Sequence, residues 1–246
     1  MLDCDCAGAV AFREAEEKRK GYEEDRERKW QAERDAKCPT CGGDGYRRVL
    51  SGEDPSKIAC SCEYGITWNI AQADAADLLP PRFRAARLAD FGETTVKAVG
   101  TIQPEKGVGL LIHGTVGTGK THLVAAFIYS LLERVSYSDV LFVTMPDLLD
   151  RIRTSYNAPI RDDVLERALS VPVLVLDDLG KEKITDWVLE KVYQIVNRRY
   201  NYQLTTICTT NKAPSQLARH LNDAIASRLM EMCRVVKLSG EDRRTR

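Results

Sequence analysis

An excess of charge of either sign is missing from this sequence, because Lys plus Arg and Asp plus Glu both number 36. That balance excludes binding to nucleic acid through bulk electrostatics. Any DNA contact must come from a local basic surface, or from several subunits presenting one together. A long apolar run is also missing: the longest, Leu123 to Leu132, includes Tyr129 and Ser130 and is too short to span a bilayer. The first dozen residues carry two aspartates and lack the basic start of a signal peptide. The expectation is a cytoplasmic protein with no membrane partner. Cysteine is unevenly spread, with Cys4 and Cys6, then Cys38, Cys41, Cys60 and Cys62, then Cys208 and Cys233. In a cytosolic protein, clustered pairs favour metal over disulfide.

What is present centres on Gly114-Thr115-Val116-Gly117-Thr118-Gly119-Lys120-Thr121, which reads G-x-x-x-x-G-K-T. The apolar run Val108 to Ile112 precedes it, and a helical pattern from His122 to Val135 follows, with Leu123, Phe127, Ile128, Leu131 and Leu132 at core-facing spacings. Strand, loop and helix form the context in which this motif cradles phosphate. The glycines let successive backbone N–H groups turn toward one anion, and the new helix directs its positive end at the same point. Lys120 supplies a point charge for the β- and γ-phosphates, and Thr121 offers a hydroxyl to Mg²⁺. A nucleoside triphosphate is the expected ligand.

Upstream, residues 11–37 form a highly charged segment with Glu14/Lys18, Glu16/Lys20 and Glu24/Arg28 at i,i+4 spacing. It reads as a solvated helix or as a partner-docking arm, and the residues do not choose between them. Cys38-Pro39-Thr40-Cys41-Gly42 is then answered by Cys60-Ser61-Cys62 after an 18-residue insert. Four thiolates suit tetrahedral Zn²⁺ and leave no open coordination position, so the zinc is expected to be structural. The expected organisation is a charged helical segment at 1–37, a zinc knuckle at 38–65, a connector at 66–106 and a nucleotide-binding domain at 107–246. Within the connector, Ile70 to Leu79 reads as a helix stopped by Pro80-Pro81.

Beyond the phosphate loop, Val140 to Val143 reads as a buried strand, and Pro146-Asp147 starts a helix carrying Leu148, Leu149 and Ile152. Val171 to Asp178 is an apolar strand ending in two carboxylates. Thr205 to Thr209 is a further strand with Asn211 just past its end, and Val235 to Leu238 is a last one. Alternating strands and helices predict an α/β fold with a mainly parallel sheet covered on both faces, and ligand at the carboxyl ends of its strands. Asp177 is expected to hold Mg²⁺ with Thr121, Asp178 to orient and polarise the attacking water, and Asn211 to hold that water against the γ-phosphate. Arg228, in Ala226-Ser227-Arg228-Leu229, is either a cation supplied across a subunit boundary or an ordinary surface residue.

Leu79-Pro80-Pro81-Arg82-Phe83, the phosphate loop, Leu176-Asp177-Asp178-Leu179-Gly180-Lys181-Glu182, Asn197-Arg198-Arg199-Tyr200, Thr210-Asn211, Ser227-Arg228-Leu229 and Gly240 to Arg244 follow the zinc knuckle pattern in this order. Together they resemble the bacterial replicative helicase loaders of the DnaC/DnaI type, AAA+ ATPases related to the IstB transposition helper. The resemblance implies an AAA+ P-loop core without a C-terminal lid domain, preceded by a small zinc-binding module. It implies ATP hydrolysis, a homo-oligomer in the ATP state, single-stranded DNA, and a DnaB-type replicative helicase as partner. Arg228 then matches the arginine finger, Asn211 sensor 1, and Arg244 sensor 2, with Arg243 an alternative. Residues 150–157 match a segment that meets single-stranded DNA, through Arg151, Arg153 and Tyr156; on its residues alone this is an amphipathic helix with a polar outer face. The other functions considered are an IstB-like transposition helper ATPase and a nucleotide-gated adaptor with little hydrolysis.

Overall fold

The computed structural model describes residues 38–41, 43, 46–49, 56–60, 62–100, 102, 106–133, 135–156, 163–240 and 242. Cys4, Cys6, the charged segment 11–37, Asn157, Arg243 and Arg244 lie outside them. The chain divides into two compact units, Met1–Asn69 and Ile70–Arg246.

In the first unit, β1 (Tyr46–Val49) and β2 (Ser56–Ala59) form an antiparallel hairpin in which Tyr46 pairs with Ala59. The insert between the cysteine pairs is therefore this hairpin. The antiparallel pairing of Tyr46 with Ala59 sets the chain leaving Cys41 beside the chain entering Cys60, and Cys38 and Cys60, 22 apart in sequence, meet. Helix α1 (Glu63–Ala75) starts directly after Cys62, passes from the first unit into the second at Ile70 and ends at Ala75, earlier at both ends than the pattern Ile70 to Leu79 suggested.

The second unit is a five-stranded parallel sheet in the order β4-β5-β6-β3-β7. Its strands are β3 (Gly109–His113), β4 (Val140–Thr144), β5 (Val173–Asp177), β6 (Thr205–Thr210) and β7 (Cys233–Lys237). The helices are α2 (Glu93–Gly100), α3 (Lys120–Leu131), α4 (Met145–Ser155), α5 (Val164–Ser170), α6 (Asp186–Asn201), α7 (Pro214–Leu221) and α8 (Asp223–Met232). The twofold period of the strands sorts the core into two layers. Leu110, Ile112, Val173, Val175 and Ile207 face α3, while Leu111, Leu174, Leu176 and Cys208 face the helices α4 to α8. Fully burying each such aliphatic side chain contributes about 1.5–3 kcal/mol.

Much of the expected connector belongs to this core, since Ala73, Leu79, Ala86, Phe91, Val99 and Ile102 pack into the α3 layer. Helix starts are fixed locally: Thr144 accepts from the Asp147 N–H at 3.2 Å, Thr185 from Val188 at 3.3 Å, and Asn222 from Ile225 at 2.9 Å. Opposite the nucleotide edge, the guanidinium of Arg199 is fully buried, and all five of its N–H groups are used. They donate to the Thr206 hydroxyl and to the carbonyls of Ala168, Val171, Pro172 and Thr205 at 2.7–3.3 Å. Burial pulls its pKa down to about 10, still far above neutrality, so the cation stays charged. It ties the end of α5 and the entries of β5 and β6 to α6.

Candidate functional site

The carboxyl ends of β3, β5 and β6 bring the loop Gly114–Gly119, Asp177 with Asp178, and Asn211 to one edge of the sheet. A cleft of about 430 Å³ opens there, lined among others by Lys120, Thr121, Asp178 and Asn211. That is within the usual size of a small-ligand site, about 300–1,000 Å³. Gly119 caps α3 with φ 91°, a left-handed conformation that strains any residue with a Cβ. Gly114 serves differently: its φ is not positive, but a Cβ there would run into the Leu238 carbonyl oxygen. The side chain of Lys120 is buried, and its Nζ donates to the carbonyls of Gly114 and Thr115 at 2.9 and 2.8 Å. The ammonium is thereby held inside the curl of the loop.

The acidic side of the cleft is a connected set. Thr121 Oγ1 donates to Asp177 at 3.0 Å, and Thr209 Oγ1 donates to the same carboxylate at 2.6 Å. Burial, only partly offset by these hydroxyls, pushes the Asp177 carboxyl above the ordinary range. A divalent cation between Thr121 and Asp177 is the group that would stabilise the charged form, and this hard oxygen pair suits Mg²⁺. Asp178 lies just past the strand rather than on it, at φ 61°. Its N–H donates to Thr209 Oγ1 at 2.9 Å, and its carboxylate accepts from Lys181 Nζ at 2.7 Å. Asp177 thus points back to the phosphate-loop helix while Asp178 turns out into the cleft.

Four cleft residues escaped the sequence reading as site residues: Arg82, Phe83, His122 and Lys181. His122 Nε2 lies 2.7 Å from Asp90 Oδ2, and its ring sits 6.3 Å from Phe83 and 5.7 Å from Phe91. Arg82 stacks over Phe83 at 5.1 Å. Pro80-Pro81, read as a helix stop, also opens the 3-10 turn that carries Phe83 to the cleft.

Arg228 is not among the residues lining this cleft. It lies on α8, half-buried, with Nε donating to Asn197 Oδ1 at 3.0 Å and Nη1 to the Ala224 carbonyl at 3.0 Å. On α4, Leu148, Leu149 and Ile152 are buried, whereas Arg151, Arg153 and Tyr156 are exposed. The Arg153 guanidinium packs 4.9 Å over the Trp187 ring, which adds an aromatic residue of α6 to that face. In the first unit, the ligand atoms of Cys38, Cys41, Cys60 and Cys62 all lie within 4.8 Å of one another. The Sγ atoms of Cys38 and Cys60 are 3.8 Å apart and those of Cys41 and Cys62 3.5 Å. Zn–S bonds of about 2.3 Å in a tetrahedron place sulfurs about 3.8 Å apart, so the cluster fits the ion. Backbone N–H groups of Cys41 and Thr40 draw the Cys38 thiol down to about 6, while burial pushes Cys60 up to about 12. Among the described residues, no helix is long and apolar enough to cross a membrane.

Comparison with known proteins agrees with this geometry. Replicative helicase loader DnaI of Bacillus subtilis (strain 168) is 31% identical over 172 residues, covering 65% of this chain and 55% of the relative. Replicative helicase loader DnaC of Escherichia coli (strain K12) is 29% identical over 121 residues, covering 48% of this chain and 49% of the relative. The chain thus spans about half the length of these curated relatives. Among solved structures, that of the DnaC helicase loader matches with TM-score 0.57 and 29% identity, over 65% of this chain and all (100%) of that one. That of DnaI matches with TM-score 0.56 and 28% identity, over 67% and 94%. A parallel sheet flanked by helices is therefore the DnaC/DnaI AAA+ fold. The family model described as IstB-like ATP binding protein covers residues 93–246, and the chain belongs to that family.

Proposed function

We propose that the chain is an ATPase that loads a DnaB-type replicative helicase onto single-stranded DNA in the cytoplasm. The observation that carries the reading is the meeting of Lys120, Thr121, Asp178 and Asn211 in one cleft, with Thr121 3.0 Å from Asp177. The DnaI and DnaC relatives, named as replicative helicase loaders, supply the biological direction.

In this reading Gly114, Thr115, Val116, Gly117, Thr118 and Gly119 surround the phosphates of ATP, and Lys120 neutralises the β- and γ-oxygens. Thr121 and Asp177 hold Mg²⁺, which offsets the charge of the triphosphate. Asp178 leaves Lys181 to orient and polarise the attacking water, and Asn211 holds that water in line. Arg228 completes the site of an adjacent subunit in a homo-oligomer, where its cation stabilises the transferring phosphoryl group. Arg244 or Arg243 supplies the sensor 2 cation. The four cysteines hold structural Zn²⁺ in the 38–65 module, next to the 1–37 segment, and this end of the chain engages the helicase. Arg151, Arg153 and Tyr156 give charge and a stacking face to single-stranded DNA.

A second reading, ATP-dependent targeting of a transposase, is favoured by the family model that matches. Immobilised full-length protein with Mg²⁺ and ATP discriminates the two. Retention of a hexameric DnaB-type helicase, and its transfer to a single-stranded circle, are the expected results. Retention of a transposase in place of the helicase overturns the loader reading. Loss of DNA-stimulated hydrolysis in Arg228→Ala, with nucleotide affinity nearly intact, is expected for the shared site. Unchanged turnover in that variant refutes it.

A further inference from the structure

Arg228 is held in an unusual way for a surface cation. Its carboxylate neighbour one turn on, Glu231, forms no ion pair with it and accepts from the Tyr200 hydroxyl at 2.7 Å. The guanidinium instead lies against two tyrosine rings of α6, 5.3 Å from the Tyr193 centroid and 5.7 Å from that of Tyr200. Its two hydrogen bonds go to neutral acceptors, the Asn197 side-chain carbonyl and the Ala224 backbone carbonyl. Arginine has five N–H donors, so three are left without a partner among the described residues. Tyr193, Asn197 and Tyr200 recur at the i, i+4, i+7 spacing of one helical face. That face fixes the direction of the guanidinium while leaving its charge and most of its donors uncommitted.

We propose that Asn197, supported by the rings of Tyr193 and Tyr200, is a positioning residue that presets Arg228 for the phosphates of the neighbouring subunit's nucleotide. The inference rests on the shared-site reading above and adds the groups that make the shared cation effective. The chemistry of the acceptor matters. A neutral amide carbonyl orients Nε without neutralising the cation, whereas a carboxylate at the same place would form an ion pair with it and compete with the phosphate. Preset orientation has a large effect on rate, because a misplacement of about 1 Å at a reacting centre costs about a hundredfold.

The test uses full-length protein with ATP, Mg²⁺ and single-stranded DNA. Asn197→Ala is expected to lower kcat between about tenfold and about a hundredfold while KM for ATP stays within about twofold. Asn197→Asp, which keeps the shape of the side chain and adds charge, is expected to lose as much. The decisive readout is complementation in mixtures. Asp178→Asn removes a protomer's own hydrolysis but leaves its Arg228 cradle intact, so mixing it in excess with Asn197→Ala should restore turnover per Asn197→Ala chain toward the wild-type value. Mixing Arg228→Ala with Asp178→Asn is the control and should recover in the same way.

If the control pair recovers and the Asn197→Ala pair does not, Asn197 acts on its own subunit and the proposal is wrong. Wild-type turnover in both Asn197 variants, beside a loss in Arg228→Ala, also overturns it. If neither pair recovers, the shared site itself fails, which is a different result. Should neither Asn197 variant fold, the residue is structural and the positioning role is rejected.

Discussion

Replacing Arg199 by Met asks whether the basic pair Arg198-Arg199 serves the fold or the function. The methionine keeps an unbranched side chain of comparable length but removes five donors from a site with no water access. The acceptors are mainly backbone carbonyls, which no compensating mutation removes, so they are left without the partner they had. Each buried carbonyl left without its donor costs about 1–3 kcal/mol, so losing these together costs about 3–5 kcal/mol, a large part of the about 5–15 kcal/mol that stabilises a typical domain. At about 2–4 °C per kcal/mol for a chain of this size, the melting temperature should fall by about 6–20 °C in scanning calorimetry. Arg198 is the internal control, since it is exposed and stacks over Tyr202 at 3.5 Å. Arg198→Met should change stability by no more than about 0.5 kcal/mol. Equal and small shifts in both variants would refute the reasoning.

Asp177→Asn removes a carboxylate whose pKa burial raises. A raised folded-state pKa means that stability present at low pH is lost as pH rises through that value, so the charged group is a liability at neutral pH. Without nucleotide the variant should therefore melt at or above the wild-type temperature at neutral pH, yet lose the stabilisation that Mg²⁺ with ATP confers; a variant still stabilised by Mg²⁺ with ATP would contradict the assignment. Protein purified without chelator should contain one zinc per chain by elemental analysis, and Cys38→Ser with Cys60→Ser should abolish it; metal content that does not change in the double variant would contradict the cluster. Arg153→Ala with Trp187→Ala should weaken single-stranded DNA binding by about 1–3 kcal/mol in fluorescence anisotropy, the usual worth of a lost stacking contact. Undiminished affinity there would remove this face from the DNA path.

The parts legible in the sequence were those set by local pattern. The phosphate loop, the apolar strands and the paired carboxylates each announce themselves within a few residues, and the sheet places them where alternation of strand and helix predicts. What was hidden depends on tertiary meeting. Nothing around Phe83 and His122, 39 residues apart, signals that they line one cleft. Lys181 reads as an ordinary loop lysine until its Nζ is found on Asp178. The cysteine insert has no alternating apolar pattern, so nothing in it signals a hairpin; backbone pairing and the sulfur cluster define it instead. In the sequence Arg199 is one half of a basic pair, and its buried role depends on the carbonyls of Ala168 and Val171, 31 and 28 residues away in the chain.

The claim on which the functional account depends is that a protomer holds most of the machinery for ATP hydrolysis and takes its last cation from a neighbour. Turnover per chain, followed as the full-length protein is diluted and with oligomeric state monitored by analytical ultracentrifugation, tests this directly. Turnover that falls away as subunits separate is the predicted result. Full turnover by a strictly monomeric chain would contradict it.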